Sequence, residues 1–142
     1  MSEDQSLYEA DILLWSEQQA ELLRRRAANQ LDWENLAEEI DTVGRNELRA
    51  VISHLRLALL HDLKAEAWPL ARDVEHWRAE ARGHRDEARD AYTPSMAQRI
   101  DVEKIYRQAR QRMPATIDET KPLPVPDTCP VTLAELLSEP ED

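Results

Sequence analysis

His76, Glu80 and His84 fall four residues apart. On a helix that spacing stacks them on one face, with about 6 Å of rise per step. Imidazole and carboxylate groups are ligands for divalent transition ions, and neighbouring members of this set are close enough to share one. A further ligand, His61 or Asp62, would come from the preceding helix, as in metal sites built inside helical bundles. Glu47, His54 and His61 are seven apart and also share a face, but about 10.5 Å of rise separates successive members. Ligand bonds of about 2 Å cannot span that, so these three do not hold one ion together. The chain lacks the Glu-x-x-His repeat of di-iron bundles. The plainer reading treats all four histidines as surface or boundary residues, and it predicts that they scatter. No motif implies a cofactor.

The stretch LDWENLAEEI, residues 31–40, carries four carboxylates and a tryptophan. With Leu36 at the centre of the buried face and about 100° per residue, Glu38 points to solvent and Glu39 lies roughly 60° off centre. Adjacent helix residues do not face each other, so Glu38 and Glu39 are no catalytic acid pair. Glu39 alone is placed to meet a basic residue from another helix, and a structural or surface ion pair is the expectation.

Arg78, Arg82, Arg85 and Arg89 form a basic stripe, the pattern of an anion-binding face. Acids are interleaved with it, so a salt-bridged exposed face is the simpler reading, with acids of the preceding helix as partners. There is no phenylalanine, and the four tryptophans must supply most of the aromatic core volume. Trp68, beside Pro69 at a helix corner, is the one expected to be exposed. The single cysteine, Cys129, has no nearby positive group to stabilise a thiolate, and it reads as a docked small hydrophobe. Phosphate-binding glycine loops, nucleophile elbows and zinc-protease motifs are absent from the sequence.

Helices must position these residues. Glycine occurs only twice, and prolines are sparse until the C-terminal end. Alternating strand patterns are missing, so the fold class is all-α. A first helix is expected from about Ser6 to Ala27, with Tyr8, Ile12, Trp15, Gln19, Leu22 and Leu23 on one face. A long second helix starts at the N-cap Asp32 and runs to about Ala67 before Pro69. Its apolar set is Trp33, Leu36, Ala37, Ile40 and Val43, then Leu48, Val51, Ile52, Leu55, Leu59 and Leu63. The step from Val43 to Leu48 implies a close crossing or a bend at Gly44. A third helix is expected over about Leu70–Tyr92 and a fourth over about Ser95–Arg112. Residues 1–113 thus form a four-helix bundle-like body. Residues 114–142 form a proline-rich arm of the same domain. In that arm TLAE is a capping box, so a short helix over Leu133–Leu137 should dock its leucines on the body.

The chain has 142 residues, which suits one domain. A chain of about this length buries roughly 70% of its unfolded surface. The net charge of −11 argues against direct nucleic-acid or anionic-membrane binding and favours a basic protein partner. One cysteine, no apolar run near the ~20 residues of a membrane span, and an acidic start at Glu3 and Asp4 point to the cytoplasm.

Five blocks carry a resemblance: LYEADILLWSEQQAELLR, LDWENLAEEIDTVGRNE, LLHDLKAEAWP, HWRAEARGHR and CPVTLAELL. In this order they resemble the bacterial family called domain of unknown function 29 (DUF29), across nearly the whole chain. The resemblance implies a small all-helical bacterial protein and carries over no catalytic residue. Where the family often reads Leu-Lys-Trp-Gln before the proline, this chain has LKAEAWP, which moves the aromatic to Trp68.

Together these observations point to a non-enzymatic protein-interaction or regulatory module. The long second helix, up to roughly 50 Å, is suited to pairing with a second copy as a homodimer. The rival class is a metal-dependent enzyme with ligands from His54, His61, His76 and His84. A third is an antitoxin-like partner of a basic protein.

Overall fold

The computed structural model describes residues 3–139, with side chains from Leu7 onward. The beginning of the first apolar segment and the last residues of the arm lie outside the described side chains. Among the described residues six α-helices follow one another: α1 (Glu3–Ala10), α2 (Ile12–Arg24), α3 (Trp33–Ala67), α4 (Val74–Ala91), α5 (Val102–Gln111) and α6 (Leu133–Leu137). Two 3-10 segments, Ala28–Gln30 and Pro94–Arg99, lie between them. Among the described residues there is no strand, only an isolated bridge between Ile117 and Thr120. The chain divides into two compact units, Met1–Asn46 and Glu47–Asp142, and α3 contributes to both.

In the first unit the expected single helix is two. The backbone of Asp11 leaves helical geometry (φ −151°, ψ 89°), and its carboxylate accepts from the Leu14 N–H to start α2. An aspartate favours that role because its side chain competes for backbone donors. The interior of this unit is polar at its centre. Trp15, Gln19 and Asp32 are all buried. The Trp15 Nε1–H donates to Asp32 Oδ2 at 3.1 Å, and the Asp32 backbone N–H donates to Gln19 Oε1 at 2.8 Å. Asp32 Oδ1 meanwhile accepts from the Asn35 N–H at 3.4 Å, capping α3 as the sequence predicts. Tyr8 stacks edge-on against Trp15, with ring centroids 4.8 Å apart.

The apolar positions at the start of α3 differ from expectation. Trp33, Ile40 and Val43 are 62%, 71% and 63% exposed. The unit's two short helices bury Trp15 and Gln19, together with Asp32, and among the described residues the side chains of Trp33, Ile40 and Val43 stay largely uncovered. Gly44 has nothing within 4 Å of where a Cβ would stand, so no close crossing occurs there.

The second unit holds the apolar core. Val51, Leu55, Leu59 and Leu63 of α3 pack with Ala88 of α4, with Met96 and Ile100, and with Ile105, Tyr106 and Ala109 of α5. The expected third helix begins later, at Val74, because Pro69–Asp73 form turns. The expected fourth helix is a 3-10 segment followed by α5, separated by extended Ile100 and capped by Asp101, whose carboxylate accepts from the Lys104 N–H at 3.1 Å. The capping box of Thr132 and Glu135 forms as predicted, and Leu136 is buried in the core. Arg89 holds the end of this helix, donating to the carbonyls of Leu137 (2.9 Å) and Ser138 (2.7 Å). The extended arm is tied down by the Leu123 N–H on the Ala67 carbonyl and the Tyr106 hydroxyl on the Pro126 carbonyl.

Trp68 is a correction. It is buried rather than exposed, packed with Ala65, Ala67 and Trp77, and its indole N–H donates to the Thr120 carbonyl at 2.8 Å. The arm covers the corner that the sequence left open.

Candidate functional site

Two arrangements have the character of a site, one in each unit. In the second unit the face of α3 that carries His54 and His61 meets the face of α4 that carries Glu80 and His84. His54 Nδ1 lies 3.0 Å from His84 Nδ1. The His61 and His84 rings are nearly parallel, with centroids 5.9 Å apart. On the other side of its ring, His84 Nε2 is 3.9 Å from Glu80 Oε2. One ligand atom each from His61, Glu80 and His84 lie within 4.8 Å of one another. The expectation that the histidines scatter is therefore overturned, and the reason is the register of α4 on α3. Burial, and then the nearby Lys64 charge, push the His61 imidazole below its ordinary range, which keeps it neutral at pH 7. Its Nδ1 is buried with no hydrogen-bond partner.

The remaining predicted ligands fall away from this cluster. Asp62 is engaged by Arg85 in a close ion pair. Burial lowers the Arg85 guanidinium from its ordinary range, the cost that a desolvated cation carries. His76 is exposed and reaches only the other oxygen of Glu80, at 4.0 Å. The arginine stripe is mixed in role. Arg85 pairs with Asp62 across helices, Arg89 pairs with Asp86 and braces α6, and Arg78 and Arg82 are exposed. Cys129 is half-buried, its thiol donates to the Val131 carbonyl, and burial raises its pKa.

The partner of Glu39 is a phenol from α1 rather than the expected basic residue. The Tyr8 hydroxyl donates to Glu39 Oε1 at 2.6 Å, and that bond is the main reason the phenol holds its proton above its ordinary range. Glu38 points away and pairs with Arg45 at 3.0 Å.

In the first unit an open groove of about 860 Å³ runs between α2 and the start of α3. Leu14, Leu22, Leu31 and Trp33 give it an apolar lining, and Glu17, Glu21 and Glu34 give it an acidic one. The Trp33 ring is held in place by its Nε1–H on the Ala28 carbonyl, 3.1 Å away, while most of the ring stays exposed. The spacing of residues on separate helices is not visible in sequence, so the groove was not foreseen.

The fold and these sites define an all-α protein without a recognisable catalytic constellation among the described residues. The chain belongs to the family described as domain of unknown function DUF29, whose model matches residues 7–140. It is also similar to an α-helical protein of unknown function from Rhodospirillum rubrum, known from a crystal structure. The two are 33% identical, with a TM-score of 0.70 over 93% of this chain and 89% of that one. No curated protein matches the chain.

Proposed function

We propose that the protein is a bacterial cytoplasmic interaction module whose first unit receives a basic, amphipathic segment of a partner protein. The observation that carries this reading is the groove beside Trp33, whose lining sets Leu14, Leu22 and Leu31 beside Glu17, Glu21 and Glu34, with Arg25 as its one basic residue. Charge agrees with it. Residues 1–46 hold eleven acids and four arginines, a net −7 of the chain's −11. An amphipathic helix laid into such a groove buries its apolar anchors and sets its Lys and Arg against the groove's carboxylates. A partially exposed, pre-positioned tryptophan is the residue type that dominates such interfaces.

The test is isothermal titration with a cationic amphipathic helical peptide, beside a scrambled peptide of equal charge. The amphipathic peptide should bind more tightly than the scrambled one. Trp33→Ala should weaken it by about 30-fold, the loss of an anchor worth roughly 2 kcal/mol. Equal binding of the two peptides, or no effect of Trp33→Ala, would overturn the reading. Exposed Ile40 and Val43, outside the groove lining, support a second reading in which a second copy of the chain covers this stretch of α3. Light scattering should then show a dimer that Ile40→Glu dissociates, and a monomer at high concentration would remove it.

A further inference from the structure

We propose that His61, Glu80 and His84 form a binding site for a divalent first-row transition ion such as Zn²⁺, independent of the docking groove and located in the second unit. Three features of the molecule argue for it. The first is geometry. Ligand atoms around a tetrahedral ion with bonds of about 2.0–2.1 Å lie roughly 3.3 Å apart. The three groups stand within 4.8 Å of one another, and His84 Nε2 and Glu80 Oε2 within 3.9 Å. Binding would draw the three ligand atoms together by up to about 1.5 Å.

The second feature is the hydrogen bond behind the cluster. When His84 Nδ1 donates its proton to His54 Nδ1, 3.0 Å away, the lone pair of His84 is fixed on Nε2, the nitrogen that faces Glu80. Metal-bound histidines are held in this way by a partner on the other ring nitrogen. His54 is thus a positioning residue, and its distance from His61 along α3 is no obstacle because it needs no contact with the ion.

The third is the unpartnered Nδ1 of His61. A buried polar nitrogen without a partner is costly to leave unsatisfied, and an ion between His61 and His84 takes up one lone pair of the ring. Two imidazoles and one carboxylate suit zinc, cobalt or nickel better than magnesium or calcium, which take oxygen ligands. They also leave a fourth position open for water or a small anion, as three protein ligands do in open zinc sites.

The experiment is titration of the tag-free, full-length protein with Co²⁺, followed by its visible absorption, and with Zn²⁺, followed by calorimetry. One ion per chain is expected, with the intense d–d bands of a four-coordinate site. His84→Ala and Glu80→Gln should each weaken Zn²⁺ at least 10-fold and change the Co²⁺ spectrum, with helicity by circular dichroism unchanged. His54→Ala should weaken the ion about 10–100-fold, the usual effect of losing a ligand's supporting partner, and should shift the Co²⁺ bands. His76→Ala should leave affinity and spectrum as they are. No stoichiometric binding by the folded protein would overturn the proposal. So would equal losses in His76→Ala and His84→Ala, which would place the ion on the exposed outer face of α4.

Discussion

Asp32→Ala tests whether a buried carboxylate, rather than an apolar cluster, organises the first unit. Three contacts converge on this residue: the Trp15 indole N–H at 3.1 Å, the Asn35 amide side chain at 2.8 Å, and the backbone N–H of Asn35 in the capping position. Loss of an N-cap costs about 1 kcal/mol. The buried Trp15 N–H left without an acceptor costs a further ~1–3 kcal/mol. Together they predict a loss of roughly 2–4 kcal/mol in the stability of the first unit. Asp32→Asn keeps the cap through its one amide oxygen but turns its NH2 toward the Trp15 N–H, so it should recover only the ~1 kcal/mol of the cap. Urea denaturation followed by far-ultraviolet circular dichroism measures both, and hydrogen exchange in residues 33–40 places the loss. Trp15→Phe removes the donor, so in that background Asp32→Ala should be about 1–2 kcal/mol less damaging. An Asp32→Ala protein within about 0.5 kcal/mol of wild type, the range of ordinary surface substitutions, would refute the reasoning. Equal damage from Asn and Ala would do the same.

Leu136 is 2% exposed, and its burial in the core packs α6 against the second unit. Leu136→Ala should cost about 2–5 kcal/mol in urea denaturation and release hydrogen-exchange protection over residues 131–137; unchanged protection would mean that Arg89 alone retains the arm. For Cys129, burial raises the thiol pKa. The folded protein therefore holds this proton to higher pH than the unfolded chain. The associated stability is fully present below a pH of about 8.5 and is lost as pH rises through the folded value. Alkylation by iodoacetamide at pH 8 should be at least about 10-fold slower than for a free thiol and should speed up in urea; equal rates would contradict the docked reading.

What the sequence made legible was local. The all-α class, the cap at Asp32, the length of α3 and the capping box of Thr132 and Glu135 each depend on residues within one or two turns, and each is as expected. Boundaries failed where an aspartate competed with helix continuation: Asp11 splits the first helix, and Asp101 splits the last one of the body. Burial failed where it depended on a distant covering element. Trp68 is enclosed by an arm more than fifty residues later, and Trp33, Ile40 and Val43 lack the cover that periodicity implied.

The histidines show how a correct distance led to the wrong picture. His54 and His61 are separated by about 10.5 Å of helical rise, which rules out one ion bound by both. It does not rule out a third ring between them. A side chain entering from the opposing helix at mid-height stands about half that rise, or roughly 5 Å, from each. His84 stands there, with ring centroids 5.3 Å from His54 and 5.9 Å from His61. The seven-residue spacing that separates two imidazoles on α3 is thus also the spacing that admits one from α4. The inserted ring has two nitrogens on opposite sides. One is satisfied by His54, and the other is turned toward Glu80, four residues earlier on its own helix. Two periodicities, seven on one helix and four on the other, therefore place the His84 ring between His54 and Glu80. That placement is visible only once the register between α3 and α4 is known, and at that register Leu55 and Leu59 of α3 share the core with Ala88 of α4.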